Sequence, residues 1–163
     1  MPVQITTQNP KILSFLQTHP LGILATADRD GVPHAATMYF IVEPDFSVRF
    51  ITKQQTTKHT NLRANPQAAL AVFEAASQKT VQLAGPVEQI ADLGELQEVF
   101  GQVLQISKTT SDGHRPPISK LDAGNYVAYR LRPTTVRMAE FVKAEYPPVD
   151  EIFEVVTAPA QDL

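Results

Sequence analysis

Residues 50–58 read FITKQQTTK, and this short stretch decides the fold. Its apolar start predicts the end of a β-strand, and Thr56 or Thr57 can cap a helix over Lys58–Ala64. The unpaired N–H groups and the positive dipole end at such a helix start favour an anion. Thr56, Thr57 and Lys58 therefore form a candidate phosphate site. An ordinary capped helix with solvated lysines is the alternative.

The sequence on either side of this stretch predicts strands in runs. Alternating or β-branched apolar residues mark each strand, and Gly, Pro, Asn and Asp mark the turns between them. In the third predicted strand, Phe46, Val48 and Phe50 share one face, so Ser47 and Arg49 are predicted on a half-exposed face. The predicted strands are Leu21–Ala27, Pro33–Val42, Phe46–Thr52, Ala68–Glu74, Thr80–Ile90 with a bend and bulge at Gly85-Pro86, Tyr126–Leu131 and Thr134–Val142.

Two further helices are predicted. One opens at Asn9-Pro10 and ends at His19-Pro20. The other is capped by Asp92 and buries Leu93, Leu96, Val99, Phe100, Val103 and Leu104. Residues 108–120 are predicted as a polar loop and residues 143–163 as a tail without strong periodicity. Because strands arrive in runs, the fold class is mainly β (α+β) with an antiparallel sheet or barrel, in a single domain over residues 1–163.

Composition excludes several functions. The 163-residue chain has no cysteine, which excludes disulfides and thiolate chemistry. Its net charge of −3 argues against a nucleic-acid partner. No apolar run reaches the ~18 residues of a membrane span and the N-terminus does not read as a signal peptide, so we expect a cytoplasmic protein with no membrane partner. The four scattered histidines predict no metal site.

The order and spacing of several short motifs resemble the pyridoxamine 5'-phosphate oxidase-like superfamily, whose members are FMN-binding split β-barrels. The similarity covers residues 10–142 and is strongest over residues 21–90. The motifs that carry it are Asp30-Gly31-Val32-Pro33-His34, Phe50-Ile51-Thr52, Thr56-Thr57-Lys58, Asn61-Leu62, Asn65-Pro66 and Val81-Gln82-Leu83-Ala84-Gly85.

The resemblance implies a split antiparallel β-barrel with peripheral helices, in which FMN lies at the interface of a homodimer. It assigns no catalytic side chain. By position it implies that Thr37, Met38 and Tyr39 line the ribityl and ring region. It further implies that Ile51 and Thr52 lie against the isoalloxazine, that Thr56, Thr57 and Lys58 hold the phosphate, and that Thr80 reaches the flavin.

The chain also departs from the oxidases that it resembles. Ala36 and Thr57 stand where those oxidases carry arginines, with Lys53 as a compensating charge, and the chain has no Trp for their C-terminal substrate segment. We therefore expect an FMN-dependent oxidoreductase whose small-molecule substrate or electron donor is not pyridoxamine 5'-phosphate. The alternatives are a non-enzymatic flavin or haem carrier or sensor, with His34 or His114 as haem ligand, and a deazaflavin-dependent reductase.

Overall fold

In a computed structural model of the chain, residues 3–4, 10–114, 125–141 and 153–157 are described. They form ten strands and three helices. The helices are α1 (Pro10–Thr18), α2 (Thr57–Ala64) and α3 (Leu93–Thr110). The strands are β1 (Val3–Gln4), β2 (Leu21–Ala27), β3 (Pro33–Tyr39), β4 (Ile41–Val42), β5 (Val48–Lys53), β6 (Gln67–Glu74), β7 (Lys79–Ile90), β8 (Tyr126–Leu131), β9 (Thr135–Glu140) and β10 (Phe153–Thr157).

Strand β7 joins the two parts of a curled sheet. One edge of β7 pairs with β6, and the other pairs first with β9 and then with β8. The larger part runs in the order β1-β10-β9-β7-β6-β2-β3, and β8 continues through β5 to β4. All of these pairs are antiparallel except β1 with β10, which is parallel. The fold is a split β-barrel with three peripheral helices, as the sequence predicts.

The bend predicted at Gly85-Pro86 is the point where β7 changes neighbours. Residues 79–84 pair with β9, and residues 87–90 pair with β8. The segment that joins β8 to β9 turns at Pro133, opposite this bend. There the N–H groups of Arg132 and Thr134 donate to the carbonyls of Pro86 and Ala84 at 2.9 Å each. The backbone of Arg132 therefore approaches β7 so closely that only glycine fits at position 85.

The predicted strand Pro33–Val42 is divided at Phe40 because the chain changes sheets there. β3 pairs with β2, whereas β4 pairs with β5. The Phe40 N–H donates to the carbonyl of Pro20 at 3.0 Å, and its side chain is buried in the main core. That core lies inside the curled sheet, closed on one side by Ile12 and Leu16 of α1.

Two side chains predicted on a half-exposed face are buried. Ser47 and Arg49 are only 4% and 8% exposed. For Arg49 the prediction was wrong because α3 packs over the second face of β5, which the alternation of residues along one strand does not reveal. Arg49 pairs there with Glu43 at 2.5 Å and with Glu98 of α3 at 3.4 Å. The buried guanidinium group is therefore compensated by two carboxylates. Ser47 is buried just before β5, where its hydroxyl donates to Asp45 at 2.7 Å.

Helix α3 begins at its predicted cap, but its first residue is exposed and the helix ends later than predicted. Asp92 caps it as predicted, since its Oδ1 accepts from the Glu95 N–H at 2.8 Å. Leu93, predicted as buried, is 72% exposed in the first turn of the helix. The helix continues to Thr110, so the predicted loop at residues 108–120 begins later, and residues 115–120 lie outside the described part of the chain.

The C-terminal tail contains a strand that the sequence analysis missed. β10 pairs with β9, with Phe153 opposite Ala139 and Thr157 opposite Thr135. The segment FEVVT has the β-branched and aromatic composition of a strand, but it is short and isolated in the sequence. The sheet therefore extends past residue 142, the predicted end of the barrel.

We expect Gly85→Ala to destabilise the fold. A Cβ at this position would lie 2.3 Å from the carbonyl oxygen of Arg132, and backbone cannot move aside cheaply. The expected loss is at least ~1–3 kcal/mol in the free energy of unfolding, measured by urea denaturation. Gly101→Ala in α3 is the control because a Cβ there meets nothing within 4 Å, and it should stabilise by ~0.5–1 kcal/mol. Equal stability of the two variants would contradict the close approach of β7 and Arg132.

Candidate functional site

A pocket of about 440 Å³ opens at the start of α2. Its walls come from β3, β5 and the β5–α2 loop, with one residue each from β2, α2 and α3. This volume lies in the range of small-molecule sites. The lining residues are Leu21, Thr37, Met38, Tyr39, Ile51, Thr52, Lys53, Thr56, Lys58 and Val103.

The structure brings together all the predicted cofactor residues except Thr57 and Thr80. Thr57 is exposed at the first turn of α2, and Thr80 lies on β7, paired with Phe73 and Ala139. The role of each toward a cofactor stays a prediction. Val103 was missed as a pocket residue, although the apolar stripe of α3 marked it as buried.

The Thr56 hydroxyl fixes the start of α2. Its Oγ1 accepts from the His59 N–H at 3.3 Å and donates to the Lys53 carbonyl at 2.9 Å. The Thr52 hydroxyl lies 3.0 Å from the same oxygen and can donate to it. Both hydroxyl protons are thus used within the protein. The donors left for an anion include the N–H groups of the first helical turn other than that of His59, and the Lys58 ammonium group.

Lys58 carries the charge of the pocket into partly buried surroundings. Burial lowers the pKa of its ammonium group, because desolvation disfavours the charged form. Lys53 adds a second positive charge, and no acidic side chain lines the pocket. An anionic group bound here would compensate the desolvated charge of Lys58, so this end of the pocket favours phosphate.

The other end of the pocket is apolar. Met38 and Ile51 are buried, and Tyr39 and Val103 add an aromatic and an aliphatic surface. Flat apolar surfaces beside a positively charged end suit a ligand with a planar ring and a phosphate.

Behind the pocket, α2 is anchored by buried polar pairs. His59 Nδ1 lies 2.6 Å from the hydroxyl of Tyr129, and Asn61 Nδ2 donates to the Thr26 hydroxyl at 3.1 Å. Burial lowers the pKa of His59, aided by the nearby Arg63, and burial raises the pKa of Tyr129. The pair therefore stays neutral, which keeps α2 against β8 and β2 without burying a charge.

The pocket opens onto an apolar sheet face formed by the outward residues of β2, β3 and β6. On this face Leu21, Ile23 and Phe73 are 43%, 51% and 57% exposed. Ile23 lies between Thr37 and Ala71 in the register, so the face is continuous across three strands. Leu21 and Thr37 belong both to this face and to the pocket.

The described residues contain neither a cluster of metal-ligating side chains nor a membrane-spanning helix. Across residues 10–114 and 125–141, no group of three or more His, Asp or Glu side chains is placed to hold a metal ion. In the same residues, no helix is long and apolar enough to cross a membrane.

A split β-barrel with a ligand pocket at the start of its second helix defines the class of this protein. The chain belongs to the pyridoxamine 5'-phosphate oxidase family, whose sequence pattern it matches over residues 8–139. This range holds every residue that lines the pocket.

Curated relatives match the central part of the chain. The pyridoxine/pyridoxamine 5'-phosphate oxidase of Deinococcus deserti is 32% identical over 98 residues, which are 59% of this chain and 46% of the relative. The corresponding enzyme of Pseudomonas putida is 31% identical over 86 residues, 53% of this chain and 38% of the relative. The chain thus spans less than half the length of these relatives.

Solved structures share the fold at lower identity. The haem storage protein HutZ of Vibrio cholerae is 21% identical with a TM-score of 0.59, covering 82% of this chain and 91% of its own. An F420 reductase is 24% identical with a TM-score of 0.61, covering 79% and 96%. An FMN-binding protein of Nostoc punctiforme is 19% identical with a TM-score of 0.53, covering 78% of each chain.

The lowered pKa of His59 makes stability depend on pH. Folded His59 binds a proton less readily than the unfolded chain does, whose pKa is near 6.5. Its stabilising contribution is therefore complete above that value and is lost as the pH falls through the folded pKa. We expect His59→Gln to reduce the loss in the free energy of unfolding that the parent shows as the pH falls below about 6.5.

Urea denaturation of the parent, His59→Gln and the exposed-site control His114→Gln measures this slope. A parent slope that His59→Gln leaves unchanged would contradict the neutral buried pair.

Proposed function

We propose that the chain binds FMN in the pocket at the start of α2 and acts as an oxidoreductase on a small-molecule substrate other than pyridoxamine 5'-phosphate. The observation that carries this proposal is the asymmetry of the pocket. Met38, Ile51 and Val103 offer an apolar end, and Lys58 with the helix start offers a phosphate end. Membership of the family supports a flavin in preference to an unrelated ligand.

The residues present fit the parts of FMN. Thr37, Met38 and Tyr39 would lie along the ribityl chain and ring, and Ile51 would lie against the ring face. Lys58 and the N–H groups of the first turn of α2 would hold the phosphate. Bound flavin supplies the electron transfer, while the protein places it and excludes water. No side chain is needed as an acid or base.

The choice of another substrate rests on the departures from the family oxidases. Ala36 and Thr57 remove two arginines, which leaves Lys53 and Lys58 as the cations of the pocket. The 163 residues also contain no Trp, the residue that the resemblance places in the substrate segment of the family oxidases. A cytoplasmic location stays a prediction.

Haem and deazaflavin are the alternative cofactors, since two structural relatives are named for them. A haem ligand would be His34 or His114. His34 is half-buried, and its Nδ1 has no hydrogen-bond partner among the described residues, yet it does not line the pocket. His114 is exposed. FMN is therefore a better fit than haem, and an absorbance spectrum with mass spectrometry of the extracted ligand separates FMN, haem and deazaflavin.

We further propose a homodimer formed through the apolar face of β2, β3 and β6. Leu21, Ile23 and Phe73 are too exposed and too close together for an isolated surface. Thr80 is paired with Phe73 and points to the same side as Gln82 and Ala84, the outward residues of β7. In a dimer built on this face, Thr80 would face the partner protomer. That placement agrees with its predicted reach toward a flavin between protomers.

The phosphate contact predicts a selective loss of FMN binding in Lys58→Met. Removing a charge-assisted contact costs ~1.5–3 kcal/mol, which is about tenfold to hundredfold in Kd. Riboflavin has the same ring without the phosphate, so its affinity should not change. Fluorescence quenching titrations measure both, and Lys11→Met, in an exposed lysine paired with Glu140, is the control. An unchanged FMN affinity in Lys58→Met would overturn the phosphate assignment.

The dimer predicts that a charge at the centre of the apolar face produces monomers. Ile23→Lys should halve the mass measured by light scattering after gel filtration, because an unpaired ammonium group would be buried at the interface. Leu93→Lys alters a large exposed apolar residue of α3 and should leave the mass unchanged. A monomeric parent protein, or a dimeric Ile23→Lys variant, would contradict the interface.

A further inference from the structure

A second groove lies along α2, separate from the pocket already described. Its volume is about 500 Å³. It is bounded by Arg29 of the β2–β3 turn, by Gln54 and Gln55 of the β5–α2 loop, and by His59, Thr60 and Arg63 of α2. None of these residues lines the pocket at the start of α2.

The charges of this groove are all of one sign. Arg29 and Arg63 are exposed, and no acidic side chain lines the groove. The nearest acid in sequence, Asp28, uses its Oδ1 to accept the N–H groups of Asp30 and Val32 at 2.9 Å each. Within residues 10–114 and 125–141, neither arginine has a carboxylate within 4.0 Å.

Other arginines of the chain are placed differently. Arg49 pairs with Glu43 and Glu98, and Arg132 pairs with Glu88 at 2.7 Å. Arg130 also pairs with Glu88, at 3.2 Å. The arginines beside α3 are thus neutralised within the protein, whereas those beside α2 keep their donors for a ligand.

His59 contributes a ring nitrogen to the same groove. Its Nδ1 faces the hydroxyl of Tyr129, which leaves Nε2 as the ring nitrogen for a ligand. The ring is held by that contact and the residue is buried, so the ring is already oriented. Gln54 and Gln55 add neutral amide donors at the rim.

We propose that this groove binds a small molecule with two or more negative charges, of the phosphate or carboxylate class. Two guanidinium groups can each form paired hydrogen bonds to such oxygens, and a neutral imidazole can donate a further one. The volume exceeds the share of a few waters and suits a metabolite-sized ligand. The proposed site shares no lining residue with the first pocket and does not require FMN to be bound.

Isothermal titration of the full-length chain at low ionic strength tests the site, with inorganic pyrophosphate and citrate as the two probes. The test variant is Arg29→Gln/Arg63→Gln. The matched control is Lys11→Gln/Arg132→Gln, which removes the same charge at two exposed cations outside the groove. Thermal melting confirms that each variant is folded, as expected for exposed sites.

Binding of at least one probe by the parent, weakened about tenfold or more by Arg29→Gln/Arg63→Gln and retained by the control pair, supports the site. Preference for pyrophosphate or for citrate then assigns phosphate or carboxylate chemistry. A shift of the His59 imidazole resonance on adding the probe to Lys58→Met adds support, because that variant lacks the phosphate contact of the first pocket.

Three results would overturn the site. One is a parent that binds neither probe. Another is an equal loss of affinity in the test and control pairs, which would indicate net charge alone. The third is binding that Lys58→Met abolishes but Arg29→Gln/Arg63→Gln retains, which would place the anion in the first pocket.

Discussion

The hydrogen bonds of the Thr56 hydroxyl join the end of β5 to the start of α2, and the site depends on this junction. One oxygen meets the Lys53 carbonyl and the His59 N–H, so the strand cannot shift without moving the helix. Lys58 follows two residues later and is held where burial lowers the pKa of its ammonium group. The same turn carries His59 toward Tyr129, which fixes the far side of the helix.

The split in the barrel explains why the pocket and the apolar face lie together. β3 leaves β2 at Phe40 and continues as β4 in the other part of the sheet, so the two parts diverge beside Tyr39. The resulting gap is the pocket, and the outward face of β2 and β3 is its rim. A partner seated on that rim would also cover the opening, so oligomerisation and ligand binding would share one set of residues.

Most helices and strands could be predicted because their caps, turns and bends depend on residues that are neighbours in the sequence. The cap at Asp92, the turn at Gly31 and the bend at Gly85 each follow from the chemistry of a few neighbouring residues. Burial of Arg49 was missed because α3 covers β5 from far along the chain. The place of Val103 in the pocket was missed for the same reason, since Val103 also lies on α3. Most of the predicted site residues lie in two short segments, β3 and the junction of β5 with α2, whereas Thr80 lies on β7 and does not line the pocket.

The central claim is that Lys58 and the first turn of α2 hold the phosphate of FMN. A crystal structure of the chain grown with FMN tests it most directly. The expected result is a phosphate within hydrogen-bond distance of the Lys58 ammonium group and the first-turn N–H groups, with the ring against Met38 and Ile51. A flavin bound elsewhere, or one whose phosphate turns away from Lys58 into solvent, would contradict the claim.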